Sequence, residues 1–156
     1  GYINLDKQND LGFEIESTVR ITGKLSVKAF YAFVKGEVTT KKTAERDTTY
    51  NNLIRRPKNS IGVNVGYAFN SKFYVSVNLK TFGKRSDLFF NSTTFATEAV
   101  SLKAYQLLDV YAEYKLLDGK LKVFADAHNI LDKNYYEIYG YSTMGFNMNA
   151  GVSFGF

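Results

Sequence analysis

Cysteine and tryptophan are absent from these 156 residues, and proline and histidine occur once each. Without cysteine there are no disulfide staples and no thiolate metal sites. With His128 as the only histidine, no histidine cluster can hold a metal. The sequence has no Gly-rich phosphate loop and no nucleophile motif, and no serine completes a catalytic set around His128. The expectation is a protein with no catalytic residues, metal or cofactor, one that is not an enzyme and takes no nucleic-acid partner. Charged residues make up 22%, too many for a helical membrane protein. One uncharged run, 138–156, has the length of a membrane helix. It is full of Gly, Asn and Ser, and it alternates. The chain begins at Gly1, with neither an initiating Met nor a signal peptide, so a processed, cut or partial chain is expected.

What the sequence does have is strand chemistry. Aromatics reach 16%, as 12 Tyr and 13 Phe, with 12 Gly for turns. From Phe146 to Phe156 the even positions are Phe, Met, Ala, Val, Phe and Phe, and the odd ones Asn, Asn, Gly, Ser and Gly. Period 2 means a strand with one apolar and one small polar face. The pattern recurs. Phe13, Ile15, Val19 and Ile21 oppose Glu14, Glu16, Thr18 and Arg20. Similar sets lie at 25–33, 61–69, 73–80, 108–116 and 121–128. Seven strands of about ten residues result, the length a tilted strand needs to cross a bilayer.

The connections alternate in length. Three are tight: Thr22-Gly23-Lys24, Asn70-Ser71-Lys72 and Asp118-Gly119-Lys120. Three are long: 35–59, 83–104 and 129–144. Short turns on one side and long loops on the other are the pattern of an outer-membrane barrel whose short side is periplasmic. The C-terminus then falls on the periplasmic side. Tyr67, Phe69, Phe73, Tyr114, Phe154 and Phe156 gather beside the short turns, as an interfacial girdle would. A soluble sandwich also alternates. Its strands are nearer five or six residues, however, and here charges sit in mid-strand on one face only. The fold class expected is all-β: antiparallel transmembrane strands forming the C-terminal part of a larger barrel, with 1–156 as one unit.

Seven strands and a possible stump at Gly1–Leu5, followed by a polar loop at 6–10, do not close a barrel. Open edges in hydrocarbon would leave backbone groups unpaired at several kcal/mol each. More strands must come from the same chain or a partner.

The segment Asn129-Ile130-Leu131-Asp132-Lys133-Asn134-Tyr135 resembles the Asn-Leu-Phe-Asp-x-x-Tyr segment near the end of TonB-dependent receptors. Gly140-Tyr141, Gly145 and a terminal alternating strand ending in Phe156 follow in that family's order. Arg55-Arg56-Pro57-Lys58 resembles the family's entry to a barrel strand. Met144 and Phe146 stand where vitamin and siderophore receptors usually carry Pro and Arg, so the resemblance leaves the substrate open. It implies an outer-membrane transporter of a scarce nutrient such as an iron chelate, haem, cobalamin or a glycan. The partners it implies are the remaining strands, an N-terminal plug and, through that plug, the TonB complex. Outer-membrane lipid, lipopolysaccharide and the barrel assembly machinery complete the set. Phe154 and Phe156 would form the assembly signal. The alternative is a small non-transport barrel, structural, adhesive or enzymatic.

Candidate ligand contacts are few. Tyr135, Tyr136, Tyr139 and Tyr141 offer stacking surfaces, or simply pack a loop; Tyr136, Tyr139 and Tyr141 are carried forward as candidates. Arg46 is the fourth, from loop 35–59, where seven basic residues face three acidic ones for a net +4. Such a loop suits lipopolysaccharide phosphates or an anionic ligand, or is merely solvated. His128 with Asp126, Glu14 and Glu16 with Arg20, and Asp109 with Glu113 and Lys115 read as charge networks on the lumen face.

Overall fold

The computed structural model describes residues 7–43, 46–51 and 54–156, with side chains described outside 40–53. The period-2 segments become seven antiparallel strands of one sheet. They are β1 (Lys7–Arg20), β2 (Leu25–Thr43), β4 (Asn59–Ala68), β5 (Phe73–Phe82), β8 (Tyr105–Leu116), β9 (Leu121–His128) and β10 (Asn147–Phe154). They lie in the order β1-β2-β4-β5-β8-β9-β10. β3 (Arg46–Asn51) pairs with the far end of β2. β6 (Arg85–Asn91) and β7 (Ala96–Leu102) form a separate hairpin. Among the described residues β1 pairs only with β2 and β10 only with β9, so the sheet is open.

Register aligns the two faces. Val27, Val65, Val77, Val110 and Ala127 pair in one row across five strands. One residue along, Lys28, Asn64, Asn78 and Asp109 form the row on the opposite face. The apolar face stays uncovered: Leu11 is 63%, Ile15 60% and Val152 68% exposed. An apolar band this broad on a long sheet is the surface a bilayer covers. The polar face is filled by aromatics lying over glycines. The Phe30 ring covers Gly62, its partner on β4, and any Cβ at Gly62 would collide with that ring. Phe124 covers Gly151 in the same way.

The short turns use the chemistry their residues offer. Thr22 Oγ1 accepts from the Leu25 amide at 3.0 Å. Asn70 Oδ1 accepts from the amides of Lys72 and Phe73 at 2.8 Å each. Leu117, Asp118 and Gly119 all have positive φ, so glycine sits where the largest value, 91°, falls. The girdle is continuous beside them: Tyr67–Phe69, Phe69–Phe73 and Phe73–Tyr114 ring centroids are 4.8, 5.0 and 6.2 Å apart.

Three expectations are corrected. Lys7–Asp10 are strand rather than loop, because their backbone pairs with Gly36–Thr39 of β2. Segment 35–59 is largely a continuation of β2 folded back on β3, and 83–104 is the β6–β7 hairpin. Glu16 meets Lys28 on the neighbouring strand at 2.8 Å instead of Arg20 on its own. The stretch Gly1–Leu5 lies outside the described residues.

Candidate functional site

The end of the sheet opposite the short turns gathers three connections: 54–58, the β6–β7 hairpin, and 129–146. Asp87 of β6 joins them. Its side chain is fully buried. It accepts from the Arg55 Nε at 2.7 Å, from its neighbour Leu88's amide at 2.8 Å and from the Tyr139 amide at 2.8 Å. Burial pushes this carboxyl up, but the Tyr139 amide, Arg55 and the Leu88 amide together outweigh it and hold Asp87 below the ordinary carboxylate range. Arg55 sits at φ 62°, and its amide donates to the Ser86 carbonyl at 2.7 Å.

Arg85 supplies a second tie. It is 6% exposed, lies 4.8 Å above the Tyr105 ring and donates from Nη2 to the Tyr136 carbonyl at 2.7 Å. Tyr105 stacks on Tyr135 at 4.2 Å, and Phe89 packs on Tyr139 at 4.8 Å. Burial, followed by the Glu137 charge, pushes the Tyr135 hydroxyl up.

The segment that begins at Asn129 explains its own residues. Asn129 is buried at φ 49°, and its Oδ1 accepts from the Lys133 amide at 2.9 Å. Its amide donates to Asp109 of β8 at 3.0 Å. Asp132 Oδ1 accepts from the Phe146 amide at 2.9 Å, starting β10. A Cβ at Gly145 would come within 2.6 Å of that same oxygen. Asn, Asp and Gly at this spacing therefore form one folding unit that turns β9 into the loop and the loop into β10. Nearby, Asp109 also holds Lys80 at 3.4 Å, and His128 Nε2 lies 2.9 Å from Asp126. Both belong to the charge network expected on the polar face.

Four concavities open at this end among the described residues, including these two. One, of 420 Å³, is lined by Tyr105, Tyr135, Tyr136, Tyr139, Lys103 and Lys133 among others. It brings the candidates Tyr136 and Tyr139 together. Tyr141 is 70% exposed and is not part of it. The other, of 280 Å³, is lined by Arg56, Lys58, Lys84, Arg85, Ser86, Ser101 and Gly36. The Arg46 side chain lies outside the described residues. Phe154 is the last residue of β10 and Phe156 lies two residues beyond it, their rings 6.1 Å apart. Arg85, Asp87 and Tyr105 were not foreseen. The signal was there: Arg85 and Asp87 alternate with Ser86 and Leu88 in a segment read as loop. Among the described residues no group of His, Cys, Asp or Glu is arranged to hold a metal.

No family model matches the chain. It is 31% identical over 110 residues to the vitamin B12 transporter BtuB of Vibrio cholerae, covering 69% of this chain and 17% of that protein. The chain thus spans about a sixth of the length of that relative. Its fold matches the pyoverdine outer-membrane receptor FpvA of Pseudomonas aeruginosa with TM-score 0.78 at 22% identity, covering 96% of this chain and 22% of that one. It matches the siderophore receptor PiuA of Acinetobacter baumannii with TM-score 0.70 at 18% identity, covering 94% and 22%. The proteins it resembles are receptors and transporters, not enzymes. Sequence and fold together identify the chain as β-barrel strands of the TonB-dependent outer-membrane receptor kind.

Proposed function

We propose that these strands are the C-terminal part of an outer-membrane receptor that imports a scarce nutrient with energy delivered through TonB. The observation that supports this best is the convergence of three long connections on Asp87 and Arg85, over the polar face, at the end away from the girdle of short turns. A rigid mouth of this kind is where an external ligand would be captured. In this reading residues 1–156 form one unit, the polar face lines the lumen and the apolar face meets lipid. The short turns and Phe156 lie in the periplasm. A plug and further strands complete the receptor, and lipopolysaccharide surrounds the outer rim. The relatives named for vitamin B12 and for siderophores make a metal chelate or cobalamin-like nutrient the first candidates, with haem and glycans behind them. Tyr136 and Tyr139 are proposed ligand contacts, and Phe154 and Phe156 the signal read by the assembly machinery.

The test is growth. Deleting the parent gene should abolish growth on one limiting nutrient, and complementation should restore it only in cells with intact TonB. Restoration without TonB would contradict the proposal.

A further inference from the structure

The 280 Å³ concavity at the mouth is strongly basic. Arg56, Lys58, Lys84 and Arg85 line it, with the hydroxyls of Ser86 and Ser101. Among the described residues the one ion pair these four cations make is that of Arg56 with Asp10, at 4.0 Å. Among the described residues Lys58 and Lys84 have no carboxylate within 4.0 Å. Arg85 is held still by Tyr105 and the Tyr136 carbonyl, and its buried Nε has no hydrogen-bond partner among the described residues. Four cations around one small space repel one another unless an anion joins them. Lysine heads and an arginine fork with adjacent hydroxyls are the donors that phosphate and carboxylate groups use.

Position selects the source of the anion. Gly36, on the floor of the concavity, belongs to the alternate set of β2 that includes Lys28 and Phe30, the polar face. Asp10, its partner on β1, belongs to the set with Glu14 and Glu16. Lipopolysaccharide phosphates stand outside the barrel, against the apolar face, so a free solute in the lumen has the access. Size limits what fits. The space admits an anionic head group rather than a whole ligand. Beside it, sharing Ser101, lies the 420 Å³ concavity walled by Tyr135, Tyr136 and Tyr139. Ring stacking there suits a flat or unsaturated body.

We infer that the receptor binds a small molecule by two adjoining subsites, the basic one taking a phosphate or carboxylate group and the tyrosine-lined one taking a ring-bearing body. This rests on the uptake reading above and names the class of its ligand.

The full-length receptor, purified in detergent free of lipopolysaccharide, is titrated calorimetrically with phenyl phosphate and with inorganic phosphate. Phenyl phosphate should bind more tightly. The double variant Lys58→Gln/Lys84→Gln should weaken both by about tenfold or more, since each lost lysine removes a charge-assisted hydrogen bond. Tyr136→Ala should weaken phenyl phosphate alone. Lys115→Gln, at the opposite end, should change neither. Both lysines are exposed, and retained heat-modifiable gel mobility confirms assembly of each variant. Equal phosphate affinity in wild type and double variant would overturn the inference. So would loss of binding to purified lipopolysaccharide micelles with phosphate affinity intact, which would move the anion site to the lipid. Calorimetry needs neither TonB nor import. Failure here leaves the uptake reading standing, and binding without import would remove that reading alone.

Discussion

The Asp87 carboxylate accepts the Tyr139 amide at 2.8 Å across 52 positions of sequence, so two long connections share one buried charge. Arg55 brings in the third connection at 2.7 Å. A buried carboxylate with three donors is costly to break, because removing it strands those donors. Asp87→Ala should raise hydrogen exchange at the Leu88 and Tyr139 amides and open 129–146 to protease. The barrel's melting should move little, since strand pairing is untouched.

The same group sets a pH dependence. Its folded pKa is depressed, so its stabilisation is fully present above the ordinary carboxylate value of about 3.9. It fades only as pH falls below that value through the folded pKa. Exchange at Tyr139 should therefore show no contribution from Asp87 between neutral pH and about pH 5. Protection lost across that window in wild type but not in Asp87→Asn would contradict this assignment.

Val77 and Asn78 are neighbours on opposite faces at the middle of β5. Val77→Arg places a charge against lipid and should cost about 2–4 kcal/mol in the assembled receptor. Asn78→Arg places it beside the Asp109 carboxylate on the polar face and should cost far less. Urea unfolding of the reconstituted parent measures both. Equal costs would mean the faces are wrongly assigned.

The strands and the girdle were legible because lipid on one side and polar groups on the other force a period of two. Where the bilayer stops, that force stops. Lys7–Asp10 extend β1 although all four are polar, since only backbone pairing with β2 selects them. For the same reason residues 35–43 read as loop and fold as strand. The β6–β7 hairpin is a separate two-stranded sheet whose buried alternate positions on β6 are Arg85 and Asp87, so its alternation is not hydrophobic. Tyr136 and Tyr139 were legible as ring surfaces in a tyrosine-rich stretch. Arg85 and Asp87 were not, because their burial depends on two segments far away in sequence. Asn129, Asp132 and Gly145 carried their signal as a spacing, and the hydrogen bonds now give it a cause.

Orientation has its own check. Gly119 lies at a short turn and Thr94 at the tip of the β6–β7 hairpin. In intact cells a membrane-impermeant maleimide should label Thr94→Cys and leave Gly119→Cys unlabelled until the outer membrane is permeabilised. Equal labelling at both would reverse or abolish the proposed topology.

The central claim is that these seven strands are part of a larger closed barrel. β1 and β10 each present an unpaired edge among the described residues, and unpaired edges are not tolerated in hydrocarbon. Refolding the 156-residue chain in detergent, beside its full-length parent, tests this by heat-modifiable gel mobility and protease resistance. The parent should run as a compact, protease-resistant band until boiled, and the 156-residue chain alone should not. A closed, protease-resistant monomer formed by these 156 residues would contradict the account.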